Sequence, residues 1–116
     1  METLQLSYDE RRRFSRKILI AIAELSLDNE TSIIAQTRDI STGGLLVVAN
    51  ANVRPNTDVS IRFGIPVKDF VPIPVQVAVT VVYCTYSGIE RGFKLGMRFS
   101  HISHSSAHLI ERYINS

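Results

Sequence analysis

The side chains with most chemistry to offer lie in two short stretches, "RRRFSRK" at 11–17 and "RDISTGGLL" at 38–46. The first gathers five cationic residues into seven positions of a chain whose formal net charge is only +2. Arginine presents a planar fork of donors that fits a phosphate, or the O6 and N7 edge of guanine, and its flat face stacks on a purine ring. Arg12 and Arg16 stand four residues apart, so in an irregular segment entering a strand they can close on one anion from two directions, with Phe14 as an apolar anchor between them. In the second stretch Asp39 can accept the N1 and N2 protons of a guanine. Ser41 can offer a hydroxyl to a phosphate oxygen, and Gly44 leaves room for a flat ring against the backbone. Each stretch alone has a plainer reading. The arginines can be a solvated surface run, and "DISTGG" can be a turn in which Asp and Ser bond their own backbone and the glycines supply positive φ.

These residues must be held by something, and the composition allows one globular unit. The chain has 116 residues, 45% of them apolar, enough for a core without cross-links. The mild net charge argues against DNA or RNA as the main partner and for anion binding local to the basic cluster. A lone cysteine, Cys84, forms no internal disulfide, which fits the cytoplasm. The polar, acidic start "METLQLSYDE" is no secretory leader, and the apolar run "ILIAIAEL" is too short to insert in a membrane.

Periodicity supplies the elements. Residues 1–16 keep no sustained period and are expected to form a mobile arm, with 17–116 as the folded domain. Lys17–Leu25 reads as the first strand, since Ile18, Ile20 and Ile22 share one face at period two and "DNE" is turn chemistry. "TSIIAQTRDI" and "LLVVA" flank the "STGG" turn, "NANVRPNT" is a loop, and "DVSIRFGI" alternates Val59, Ile61 and Phe63 against polar neighbours. Pro72 and Pro74 suit a sheet edge or a strand entrance. In "VQVAVTVVY" the residues Val75, Val77, Val79, Val81 and Tyr83 share a face; after the hairpin turn "SGIERG", Phe93, Leu95, Met97 and Phe99 point inward. Only "SHSSAHLIERYINS" turns helical, with Leu109, Ile110, Tyr113 and Ile114 on one stripe behind capping serines. The fold class is therefore all-β with a C-terminal helix, and about six antiparallel strands without crossover helices predict a β-barrel, because closure hides unpaired edges.

Other chemistry is weaker. His101, His104 and His108 have spacings that could turn two toward a metal, but no carboxylate or cysteine completes the set, so no metal site is expected. No nucleophile stands beside a base in sequence, so no catalytic residue is assigned. A small barrel binding single-stranded nucleic acid is the main rival, but the chain has no Trp, and Phe93 and Phe99 are expected to face inward.

Taken together, Arg12 and Arg16 in RxxxR spacing, followed by Asp39, Ser41 and Gly44 in DxSxxG spacing, resemble the paired signature of PilZ domains, bacterial receptors for cyclic di-GMP. "GFKLGMRF" looks like that family's last barrel strand. The resemblance implies a six-stranded PilZ-like barrel whose N-terminal arm folds over cyclic di-GMP. Arg12 and Arg16 then grip phosphates and guanines while Asp39, Ser41 and Gly44 receive the ligand. Arg11 adds a contact, with two ligands per chain the preferred stoichiometry. It also implies output by docking onto a protein partner, in processes such as motility, exopolysaccharide production or virulence; a PilZ-like module that binds no nucleotide is the remaining alternative. Because Lys keeps the charge but not the fork, Arg12→Lys is expected to weaken calorimetric binding of cyclic di-GMP.

Overall fold

A computed structural model describes residues 15–28 and 30–116. Its elements are β1 (Lys17–Ile18), β2 (Ile22–Ser26), β3 (Ser32–Ile40), β4 (Gly44–Ala49), β5 (Asp58–Val67), β6 (Phe70–Ser87), β7 (Gly92–His101) and α1 (His104–Ile114). Every strand pairing is antiparallel. From β3 the ladder runs through β2, β5, β6, β7 and β4 and returns to β3, so six strands close into a ring-like sheet. The short β1 is added beside the far end of β3, on the side that β2 also uses.

The core follows the alternation in the sequence. Ile61 and Phe63 of β5, Val75 to Val81 at odd positions of β6, and Leu95 and Met97 of β7 are buried together. The helix closes the ring by burying Ile110, with Leu109, Tyr113 and Ile114 packed against the same core. Its N-terminus is capped by Ser103, whose Oγ accepts from the Ser106 amide at 3.2 Å. Pro72 and Pro74 sit in the first half of β6, where β5 is the partner on one side and pairing with β7 begins only at Ala78. That half is an edge, which tolerates residues without an N–H.

Two expectations are corrected. Lys17–Leu25 is not one strand, because the chain leaves the ladder at 19–21 between β1 and β2. Leu19 in the break still packs into the core at 1% exposure, on the same side as Ala23 and Leu25, and the fully buried Thr37 of β3 bonds the interrupted stretch. Its Oγ1 donates to the Leu19 carbonyl at 2.6 Å and accepts from the Ala21 amide at 2.9 Å. The second correction concerns Tyr83, which does not share the face of Val75–Val81. A bulge between Val81 and Tyr83 reverses the alternation, so Tyr83 emerges 44% exposed and Cys84 turns toward the core. The isoleucine face of Ile18, Ile20 and Ile22 is the outer one, since Leu19, Ala23 and Leu25 fill the inner.

The helix also holds β1. Lys17 Nζ donates to the Tyr113 carbonyl at 3.0 Å and to Ser116 Oγ at 2.7 Å, and it lies 4.4 Å from the Tyr113 ring centroid. The Tyr113 hydroxyl donates to the Ile18 carbonyl at 2.6 Å, and burial pushes its pKa up. Thr37→Val keeps the shape of the side chain but strands a buried carbonyl and a buried amide. It is expected to lower stability by about 1 to 3 kcal/mol, seen as a reduced urea midpoint at unchanged m-value.

Candidate functional site

The break at 19–21 positions the site. Before it, β1 sets Ile18 opposite Asp39 and Lys17 opposite Ile40, which delivers Arg16 to the end of β3. Arg16 Nη1 donates to Asp39 Oδ1 at 2.7 Å; the two side chains are 47% and 25% exposed. The acidic residue of one motif and the second arginine of the other are therefore in direct contact. Arg11, Arg12 and Phe14 lie outside the described residues, so of the arm at 1–16 only Ser15 and Arg16 are placed.

A bulge between Thr37 and Asp39 inserts Arg38 into β3. It lets Thr37 stay in the core while Asp39 aligns with the outward Leu46 of β4. Arg38 Nη2 donates to Glu90 Oε1 at 2.7 Å, and the guanidinium beside Glu90 lowers that carboxyl's pKa. This ties the β6–β7 turn to β3; Arg38 also bonds Gln36.

The "STGG" stretch is the tight turn between β3 and β4. Ser41 is 4% exposed, its amide donates to the Gly44 carbonyl at 2.8 Å, and its Oγ accepts from the Gly43 amide at 3.1 Å. The Ser41 hydroxyl thus bonds its own turn. Among the described residues no glycine has positive φ, so the glycines of this turn are not there for left-handed backbone. Gly44 is required by packing. A Cβ there would collide with the Met97 carbonyl oxygen and lie 2.9 Å from Arg98 Cα on β7.

Cross-strand pairing extends the site sideways. Ile18, Asp39, Leu46, Gly96 and Tyr83 are successive partners across β1, β3, β4, β7 and β6. The Tyr83 ring lies over Gly96, where any side chain would strike it. Exposed Arg98 pairs with Gly44 at the next outward position of β7. The site therefore combines Arg16 with an acid, a serine turn, a further arginine and an aromatic face. Sequence reasoning missed Tyr83 because the bulge at Val82 has no period of its own. Gly96, unobstructed in an otherwise bulky strand, is the one local signal.

The histidines do not gather. His101, His104 and His108 are all exposed, and among the described residues no group of three His, Cys, Asp or Glu side chains is placed to hold a metal. Cys84 Sγ is 3.1 Å from Asn52 Oδ1. Phe93 and Phe99 pack partly buried against the core, as expected. No helix among the described residues is long and apolar enough to cross a membrane.

Known proteins agree with this fold. The PilZ domain pattern matches residues 10–116, nearly the whole chain, and the chain belongs to the PilZ domain family. Its structure is similar to that of the Bacillus subtilis inhibitor of motility (MotI/DgrA), with a TM-score of 0.78 at 16% identity over 90% of this chain; the match spans half (50%) of that longer protein. It is also similar to the PilZ domain of Escherichia coli YcgR, solved with c-di-GMP. There the TM-score is 0.71 at 14% identity, covering 90% of this chain and 89% of that one. The Borreliella burgdorferi PlzA protein, in complex with c-di-GMP, aligns with a TM-score of 0.57 at 20% identity over 98% of this chain and 46% of its own. No curated protein matches the sequence.

Because the Gly44 position is filled by the neighbouring backbone, Gly44→Ala is expected to destabilise the domain by about 1 to 3 kcal/mol, read by thermal or urea unfolding without ligand. An unchanged midpoint would show that β4 and β7 can separate there at no cost.

Proposed function

We propose that the chain is a cyclic di-GMP receptor, bound through Arg12, Arg16, Asp39, Ser41 and Gly44 with Arg11 as an additional contact. The observation that carries this reading is the 2.7 Å contact between Arg16 and Asp39, which joins the two family motifs at one place on the sheet. The c-di-GMP complexes of related PilZ structures support the choice of ligand.

Arg16 and Asp39 neutralise each other in the free protein, and both are partly exposed. A ligand with phosphate oxygens and a guanine N1 and N2 edge offers each a replacement partner: the guanidinium gains an anion, and the carboxylate gains two donors. The arm carrying Arg11 and Arg12 closes over the ligand from the other side. Arg98, and the Tyr83 ring for stacking, extend the receiving surface toward a second stacked nucleotide, so two ligands per chain remain the preferred stoichiometry. Ser41 acts from within its turn, holding the Asp39–Gly44 backbone in shape and presenting one hydroxyl.

The output is a changed surface and not a chemical reaction. Ordering of the arm in the cytoplasm creates a face for a protein partner that regulates a downstream process such as motility, exopolysaccharide production or virulence.

Arg16→Ala and Asp39→Ala are each expected to weaken calorimetric binding of cyclic di-GMP by about 1.5 to 3 kcal/mol, or roughly ten- to a hundredfold. A wild-type panel of cyclic di-GMP, cyclic di-AMP, GTP and a short oligonucleotide separates the classes. Tight binding to the first alone supports the receptor; salt-sensitive binding to the oligonucleotide alone refutes it.

A further inference from the structure

From β1 to the start of β2, and at Ile34 of β3 beside it, the outer side carries an unusually apolar stripe for a sheet turned toward water, where an antiparallel sheet with one buried face normally alternates to polar residues. Ile18, Ile20, Ile22 and Ile34 are 72%, 58%, 66% and 57% exposed. The core does not require them, because the inner positions of the same strands are filled by Leu19, Ala23, Leu25 and Ala35. Ile22 and Ile34 line a shallow depression of about 430 Å³ together with Gly64 and Pro74, and Pro72 adjoins Gly64. The isoleucines alone present on the order of 450 Å² of apolar surface, more than scattered exposed residues account for. That is about half of the roughly 800 Å² that each side contributes to a standard interface.

Charge identifies the occupant. At the depression Arg62 Nη2 donates to Glu24 Oε1 at 2.7 Å, with side chains 60% and 37% exposed. One base and one acid side by side make the face self-complementary. A second copy turned by half a rotation about an axis between them sets its Glu24 against this Arg62, and its Arg62 against this Glu24. A partner of a single charge sign gains only half of that match. Strand addition at the neighbouring open edge of β6 is opposed by Pro72 and Pro74, so association runs face to face.

We propose that this face is a two-fold dimer interface between copies of the chain, with reciprocal Glu24–Arg62 pairs beside the axis fixing the rotation and each copy's isoleucine stripe packed against the β5–β6 side of the other. This goes beyond the ligand reading and stands without it.

Sedimentation equilibrium of the whole chain tests it, from micromolar to submillimolar concentration without nucleotide. The wild type is expected to approach twice the chain mass as concentration rises. Glu24→Arg alone and Arg62→Glu alone each bring like charges together across the axis and are expected to stay monomeric over the same range. An equimolar mixture of the two is expected to regain the dimer, because two cationic positions on one variant then meet two anionic positions on the other. That rescue also shows that both variants are folded. A wild type that stays monomeric throughout overturns the proposal and leaves the face to a different protein. Single variants that dimerise like the wild type, or a mixture that does not associate, overturn it as well.

Discussion

The Thr37 hydroxyl governs how the two halves of the site meet. A strand running without interruption from Lys17 to Leu25 would leave the ladder to β3 unbroken. Here regular pairing lapses at 19–21: the Leu19 amide and the Ala21 carbonyl still bond β3 backbone, and the Leu19 carbonyl and Ala21 amide are answered by one buried hydroxyl. Before the step, β1 pairs Ile18 with Asp39, and Arg16 lies within hydrogen-bond distance of the same carboxylate. A buried, satisfied polar group of this kind fixes register at a place where an apolar residue would leave orphaned backbone.

Around that fixed point the site is assembled from restraints that are not themselves ligand chemistry. The Ser41 hydroxyl shapes the turn, Gly44 lets β4 approach β7, and Gly96 lies beneath the Tyr83 ring. Lys17 and Tyr113 fasten the root of the arm to the C-terminal helix, so β1 is held from both sides. Arg16 and Asp39 are the exception. They are partly exposed, they satisfy each other, and an exposed pair of this kind contributes little to stability. They can therefore exchange partners at small cost to the fold.

Much of this was legible in the sequence, and the failures share a cause. The period-two runs of β5, β6 and β7, the turn at "STGG" and the capped helix behind Ser103 came directly from side-chain alternation and turn chemistry. The paired motifs marked the family. What alternation could not show was irregularity: the bulges at Arg38 and Val82 change which side chains face outward, and the step at 19–21 shifts the pairing with β3, none of them altering composition. By alternation alone Tyr83 reads as inward for that reason. Gly44 reads from the sequence as room for a ligand, and the packing gives glycine a second reason there, the close approach of β7. The isoleucines at 18, 20 and 22 were recognised as one face, but with apolar residues on both sides of the strand, only packing shows which side is the core.

The central claim is that a cyclic guanine dinucleotide is received where the root of the arm meets the β3–β4 turn. A heteronuclear NMR titration of the whole chain with cyclic di-GMP tests this most directly, because it reports every amide at once. The account predicts the largest shifts at Arg16, Lys17 and Ile18 and from Asp39 to Gly44, with Glu24, Ile34 and Arg62 little changed. Shifts concentrated at those last three residues, with the Asp39–Gly44 turn silent, would contradict it.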